Sequence, residues 1–144
     1  MPKFILGLLA LVFLQPAVAD EAPVFVTNDG AIRGYDPVAY FTVGEPIMGS
    51  DQFSTQWQGA TYKFASAANL ELFKAEPTAY APQYGGYCAY AVAKGATAGT
   101  VPEAWSIVDG KLYLNYSLNV QQRWRKDVPG HIRAADGNWP AVLN

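Results

Sequence analysis

The side chains that most often bind metals and carry acid–base chemistry near neutral pH are almost absent from this sequence. It holds one cysteine, Cys88, one histidine, His131, and two methionines, Met1 and Met48. One thiol cannot close an internal disulfide, so packing and hydrogen bonds must hold the fold. Charged residues make up only 15% of the chain, with a net charge of −2, which gives no attraction for nucleic acid or an anionic membrane surface. No phosphate-cradling loop is present: Gly95-Ala96-Thr97-Ala98-Gly99-Thr100 is rich in small residues but has no lysine and opens no helix. Repeats and low-complexity linkers are missing too. The 51% of hydrophobic residues argues against disorder.

What is present begins with a leader pattern. Lys3 precedes the apolar run Phe4 to Leu14, Pro16 breaks it, and Ala17-Val18-Ala19 has the small-x-small form that signal peptidase accepts. The run is shorter than the about 20 residues that a membrane span needs. Residues 1–19 are therefore expected to be a cleaved signal peptide, and the product a soluble bacterial periplasmic or secreted protein. No cysteine lies near the cleavage point, so a lipid anchor is not expected. Cleavage removes one basic residue and leaves a mildly acidic chain long enough for one domain with its own core.

Residues 20–30 read as an extended N-terminal arm ending in the turn Asn28-Asp29-Gly30. The domain is expected over 31–140, with a short tail at 141–144. Phe53, Thr55 and Trp57 alternate with polar residues, Gly59 turns, and Tyr62 and Phe64 alternate again, as in a hairpin. Ser66 suits the cap of a helix over 67–75, with Leu70 and Phe73 on one face and Pro77 after it. Residues 84–94 are read as a helix ended by Gly95. Trp105 to Val108, Asp109-Gly110 and Leu112 to Asn115 give the clearest hairpin signal. Ser117 caps a further helix, and Pro129 starts a last one ending near Gly137. Hairpins interspersed with helices, without regular βαβ alternation, predict a small single α+β domain with short antiparallel hairpins packed against several short helices.

The run Gly34-Tyr35-Asp36-Pro37-Val38-Ala39-Tyr40-Phe41 resembles the opening of the YHS domain family. Tyr62-Lys63-Phe64-Ala65-Ser66, followed by Phe73, Pro77 and Tyr80, is similar to its second segment. Tyr84-Gly85-Gly86-Tyr87-Cys88-Ala89, Asp109 to Asn115 and Asn138-Trp139-Pro140 resemble an exported subgroup of that family. The resemblance implies a compact α+β domain of a kind often attached to, or found near, metal-handling proteins such as copper-transporting ATPases. The metal-associated form looks like Asp-Pro-Val-Cys-Gly-Met followed by Phe-Cys-Ser-x-His-Cys, a set of thiolates and imidazole suited to copper(I) or zinc. Here Ala39 stands where the first cysteine would, and Ala65, Ala68 and Asn69 replace the remaining cysteines and the histidine. That metal site does not carry over.

Two sets of candidate residues remain. Cys88, His131 and Met48 would together offer thiolate, imidazole and thioether, a donor set acceptable to copper(I). Equally, a lone cysteine usually behaves as a small buried apolar group, and a histidine beside Pro129 and Gly130 as a solvated residue. The second set is Tyr84, Gly85, Gly86, Tyr87 and Cys88, which could line an aromatic pocket. In a helix Tyr84, Tyr87 and Cys88 would share one face. The alternative is that these tyrosines, like Trp57, Trp105, Trp124 and Trp139, fill the core.

No catalytic constellation stands out. Cys88 with His131 as base and Asn115 or Asp127 as orienter satisfies the logic of an activated thiol, but no local motif supports it. Asp36, Glu103, Asp109 and Asp136 each sit beside glycine or proline, where turn formation explains them. The resulting expectation is a non-catalytic periplasmic binding or accessory module, for a metal ion such as copper or for a small ligand. The alternative is a structural or protein-interaction domain that docks onto another envelope protein and holds no small ligand.

Overall fold

A computed structural model of the chain describes residues 21–144, so the expected leader over 1–19 lies outside the described residues. Strands β1 (Val26–Thr27) and β2 (Gly30–Ala31) pair around Asn28-Asp29. A 3₁₀ turn at Ile32–Gly34 leads to the one-turn helix α1 (Ala39–Thr42). Strands β3 (Ser50–Trp57) and β4 (Ala60–Phe64) form the first long hairpin, with Trp57 opposite Ala60 and Thr55 opposite Tyr62. Its turn residues Gln58 and Gly59 both have positive φ (49° and 77°), the backbone twist that joins two strands through two residues. On β4 the alternation is complete: Ala60, Tyr62 and Phe64 are buried and the residues between are not.

Helix α2 (Ala67–Ala75) starts where Ser66 Oγ accepts from the Asn69 N–H at 3.1 Å, and buries Phe73. Pro77 opens the short helix α3 (Pro77–Tyr80). Helix α4 (Ala89–Ala93) is followed by Gly95 at φ +82°. Strands β5 (Trp105–Val108) and β6 (Lys111–Leu114) turn on Asp109 and Gly110, again both at positive φ. Ser117 caps α5 (Leu118–Arg125), whose Gln121 Nε2 donates to the Trp105 carbonyl at 2.7 Å and so ties the helix to β5. Asp127 caps α6 (Val128–Asn138), with Pro129 in its first turn. The result is a small α+β domain of short antiparallel hairpins packed against short helices.

The buried side chains form three clusters. One lies between the β3–β4 hairpin and α2, around Tyr62, Phe64 and Phe73. A second joins α4, α5 and α6 around Val92, Trp124 and Ala135. Ile32, Tyr40, Leu112 and Leu114 form the third, and the Tyr40 hydroxyl donates to the Pro102 carbonyl at 2.9 Å. Among the described residues no helix is long and apolar enough to cross a membrane.

The structure changes the reading of three segments. Residues 21–25 are a strap packed on the domain: Val24 is in the core, the Phe25 N–H donates to the Gly85 carbonyl at 2.9 Å, and the Ala22 carbonyl accepts from the Tyr87 hydroxyl at 2.8 Å. Residues 141–144 are likewise packed, with Leu143 buried and its carbonyl accepting from the Glu21 N–H. The stretch 84–94 is not one helix. Tyr84, Gly85 and Gly86 all have positive φ, so Gln83–Gly86 is a distorted 3₁₀ turn, and α4 begins only after Cys88. Tyr84, Tyr87 and Cys88 therefore do not share a helical face. The strap accounts for Gly85, where a Cβ would overlap the Pro23 carbonyl oxygen, and the turn at Ile32–Gly34 for Gly86, where a Cβ would strike the Ile32 side chain.

Candidate functional site

Cys88 is sealed inside the fold at 1% exposure. As the cap of α4 its sulfur accepts from the Ala91 N–H at 3.5 Å, and it accepts from the Tyr116 N–H at 3.3 Å. Its own S–H donates to Asn115 Oδ1 at 3.5 Å, and that oxygen also accepts from the Tyr90 N–H at 3.1 Å. The pairing of Cys88 with Asn115 does form, then, but it ties the end of β6 to the start of α4. Burial pushes the thiol up, and the N–H groups of Ala91, Tyr116 and Tyr90 pull it only partly back, so it is protonated at neutral pH.

The other residues expected beside this thiol are engaged in other contacts or exposed. The His131 ring packs against Tyr90, with centroids 5.2 Å apart. Asp127 caps its own helix, accepting from the Gly130 N–H at 3.1 Å. Met48 is 60% exposed in the loop that bridges to Tyr35. A thiol sealed in the core and a thioether exposed in the loop that bridges to Tyr35 do not present one shared copper site. Among the described residues no group of three cysteine, histidine or acidic side chains is spaced to hold a metal ion.

The positions at which the YHS resemblance would put soft ligands meet around a carboxylate. Asp36 is fully buried; its Oδ1 accepts from the Val38 and Ala39 N–H groups, and its Oδ2 from the Ala65 N–H and Asn69 Nδ2. Turn formation accounts for only half of these bonds. The other half join the segment after Gly34 to the start of α2.

Tyr84 and Gly85, by contrast, border an open cleft of about 580 Å³, within the range of small-ligand sites. Four structural features meet there: the β3–β4 turn with Trp57 and Gln58, the 3₁₀ turn with Gln83 and Tyr84, Lys111 after the second hairpin turn, and Asp136 with Trp139 at the end of α6. Tyr84 is only 5% exposed, and its hydroxyl donates to Asp136 Oδ1 at 2.9 Å. Its backbone is left-handed (φ 57°, ψ 35°), a conformation that costs a residue with a Cβ on the order of 1 kcal/mol or more. Trp139 packs edge-on against Tyr84 (6.0 Å) and beside Tyr87 (6.1 Å). Trp57 is anchored from behind by Phe73 (5.8 Å) and Tyr62 (6.0 Å).

Of the residues singled out in the sequence, Tyr84 and Gly85 line this cleft, while Gly86, Tyr87 and Cys88 lie in the strap and core contacts behind it. Trp57, Lys111, Asp136 and Trp139 were not among the candidates. The available signals were slight: Trp57 beside a hairpin turn, where one face has no strand to cover it, and Asp136 one turn before Trp139 on a helix end. No family model, characterised protein or solved structure matches the chain.

Burial also sets how the fold responds to alkali. It pushes the phenols of Tyr40, Tyr62 and Tyr84 far up, helped by nearby Glu103 at Tyr40 and by the Asp136 hydrogen bond at Tyr84. In the unfolded chain the thiol ionises at about pH 8.5 and the phenols at about pH 10. The folded chain then holds more protons than the unfolded one, so their contribution to stability is complete below about pH 8, begins to be lost above about pH 9, and goes on falling until the raised folded-state values are passed. The urea midpoint is expected to be level from about pH 7 to 8 and to fall steeply by about pH 10.5; an unchanged midpoint there contradicts this account.

Proposed function

We propose that the protein is an exported, non-catalytic binding module of the YHS type that its sequence resembles, and that it takes a small ligand in the cleft between Trp57, Tyr84, Asp136 and Trp139. The observation that carries the reading is Tyr84. A buried tyrosine in a left-handed conformation, locked by Asp136 and flanked by an indole, is a rigid wall placed in an otherwise open cleft. The leader pattern over residues 4–19 supports export to the periplasm. Copper, which the resemblance raises, is not the ligand we propose, because Cys88 is sealed in the core while Met48 stands in an exposed loop.

A second reading, docking onto another envelope protein, rests on a different surface. Tyr116 and Leu118 are more than half exposed, and Leu118 borders a groove with Ile107 and Val108 between β5 and α5. Protein-observed NMR with a fragment library of neutral, cationic and anionic compounds separates the two. The binding module is expected to show saturable shifts of the Trp57 and Trp139 indole N–H signals, lost in Trp57→Ala. An unperturbed cleft, with fragments collecting instead beside Leu118 and lost in Leu118→Asp, overturns it in favour of docking.

A further inference from the structure

The chemistry lining the Tyr84 cleft restricts what it can hold, and the restriction rests on the binding reading above. Its charged groups are one cation, Lys111, and one anion, Asp136, brought from different elements, and neither is in a salt bridge among the described residues. Opposite single charges leave the cleft without net charge, so its overall charge favours neither a cation nor an anion. A singly charged ligand of either sign would gain from one of these groups and lose against the other, so neither sign is selected.

The remaining polar groups are neutral. Thr78 offers a hydroxyl, and Gln58 and Gln83 each offer an amide with two donors and an acceptor. A wholly apolar ligand would cover these groups without replacing their bonds to water, at the full desolvation penalty. The apolar lining is Trp57, Trp139, Ala81 and Pro82, and both indoles pack against aromatic partners, so their positions are set before any ligand arrives.

We infer that the cleft binds a neutral saccharide. A pyranose ring has apolar C–H faces and an equator of hydroxyls that both donate and accept. The faces suit the indoles, and the hydroxyls suit the glutamines, the threonine, Lys111 as donor and Asp136 as acceptor. Asp136 uses Oδ1 for Tyr84, which leaves Oδ2 for a sugar hydroxyl and fixes its direction. An open cleft of about 580 Å³ lets a short oligosaccharide lie along it with its outer edge in water.

The test is to apply the mature chain to an array of neutral and charged oligosaccharides at low and high salt. Retention of neutral glycans is expected, with affinity changing less than about twofold between roughly 0.05 and 0.5 M salt, since no ionic attraction is there to be screened. Trp57→Ala is expected to lose at least about tenfold in affinity. Asp136→Asn, which keeps an acceptor for Tyr84 and so leaves the wall in place, is expected to lose about fivefold. Retention of charged glycans only, abolished by salt, overturns the neutral class. If no glycan binds while choline or citrate shifts the Trp57 and Trp139 indole signals, the saccharide is overturned and the binding module stands. If neither glycans nor these ions act on the cleft, both fall.

Discussion

Asp36→Ala is expected to lower the stability of the domain by about 4 kcal/mol and its Tm by about 12 °C. The carboxylate is fully buried and accepts four hydrogen bonds. Removing it strands the N–H groups of Val38 and Ala39, both fully buried, together with the Ala65 N–H and the Asn69 amide. Each buried donor left without an acceptor costs about 1–3 kcal/mol, and relaxation or an entering water recovers part of the sum. Asp36→Asn keeps one acceptor oxygen but turns an NH₂ towards N–H donors, so about half the loss is expected. Urea unfolding of the parent and both variants measures this. A loss under about 1 kcal/mol in the alanine variant would show that the two segments hold together without the carboxylate.

The sequence around Asp36 signals a turn, and the turn is there. The other half of its bonding reaches a helix start that lies far along the chain, which no local pattern encodes. Under the YHS resemblance the same two segments would be joined through soft metal ligands. Here hydrogen bonds to Asp36 join them, and Ala39, Ala65 and Asn69 occupy those positions around it.

Gly85→Ala is expected to cost about 3 kcal/mol, against about 1 kcal/mol for Gly95→Ala. Both glycines have positive φ, +62° and +82°, so the backbone penalty is similar. They differ in surroundings. A Cβ on Gly95 meets nothing within 4 Å, whereas one on Gly85 would overlap the Pro23 carbonyl and crowd the Val24 backbone. The strap must then lift, which weakens the bond from the Phe25 N–H to the Gly85 carbonyl and draws Val24 out of the core. The difference between the variants in urea unfolding isolates the strap from the glycine effect. Equal losses would mean that the strap contributes nothing.

The two long hairpins, their positive-φ turns and the serine caps of α2 and α5 could all be read from the sequence. Each depends on residues within a few positions of one another: alternation on β4, Asp109-Gly110 between β-formers, and a hydroxyl three residues before the N–H that it accepts from. The α+β class followed from the same short-range signals. Residues 84–94 misled because apolar and small residues there suit a helix, while the demand that turned Tyr84 and Gly85 left-handed comes from the strap, more than fifty positions earlier. Cys88 is sealed from solvent because the segment after β6 closes over it, and Asp136 reads as a turn residue until Tyr84 reaches it. Local chemistry acts over one turn of chain. Burial, the ionisation state of a thiol and the meeting of Trp57 with Trp139 depend on which distant segments exclude water together, and only the closed tertiary structure decides that.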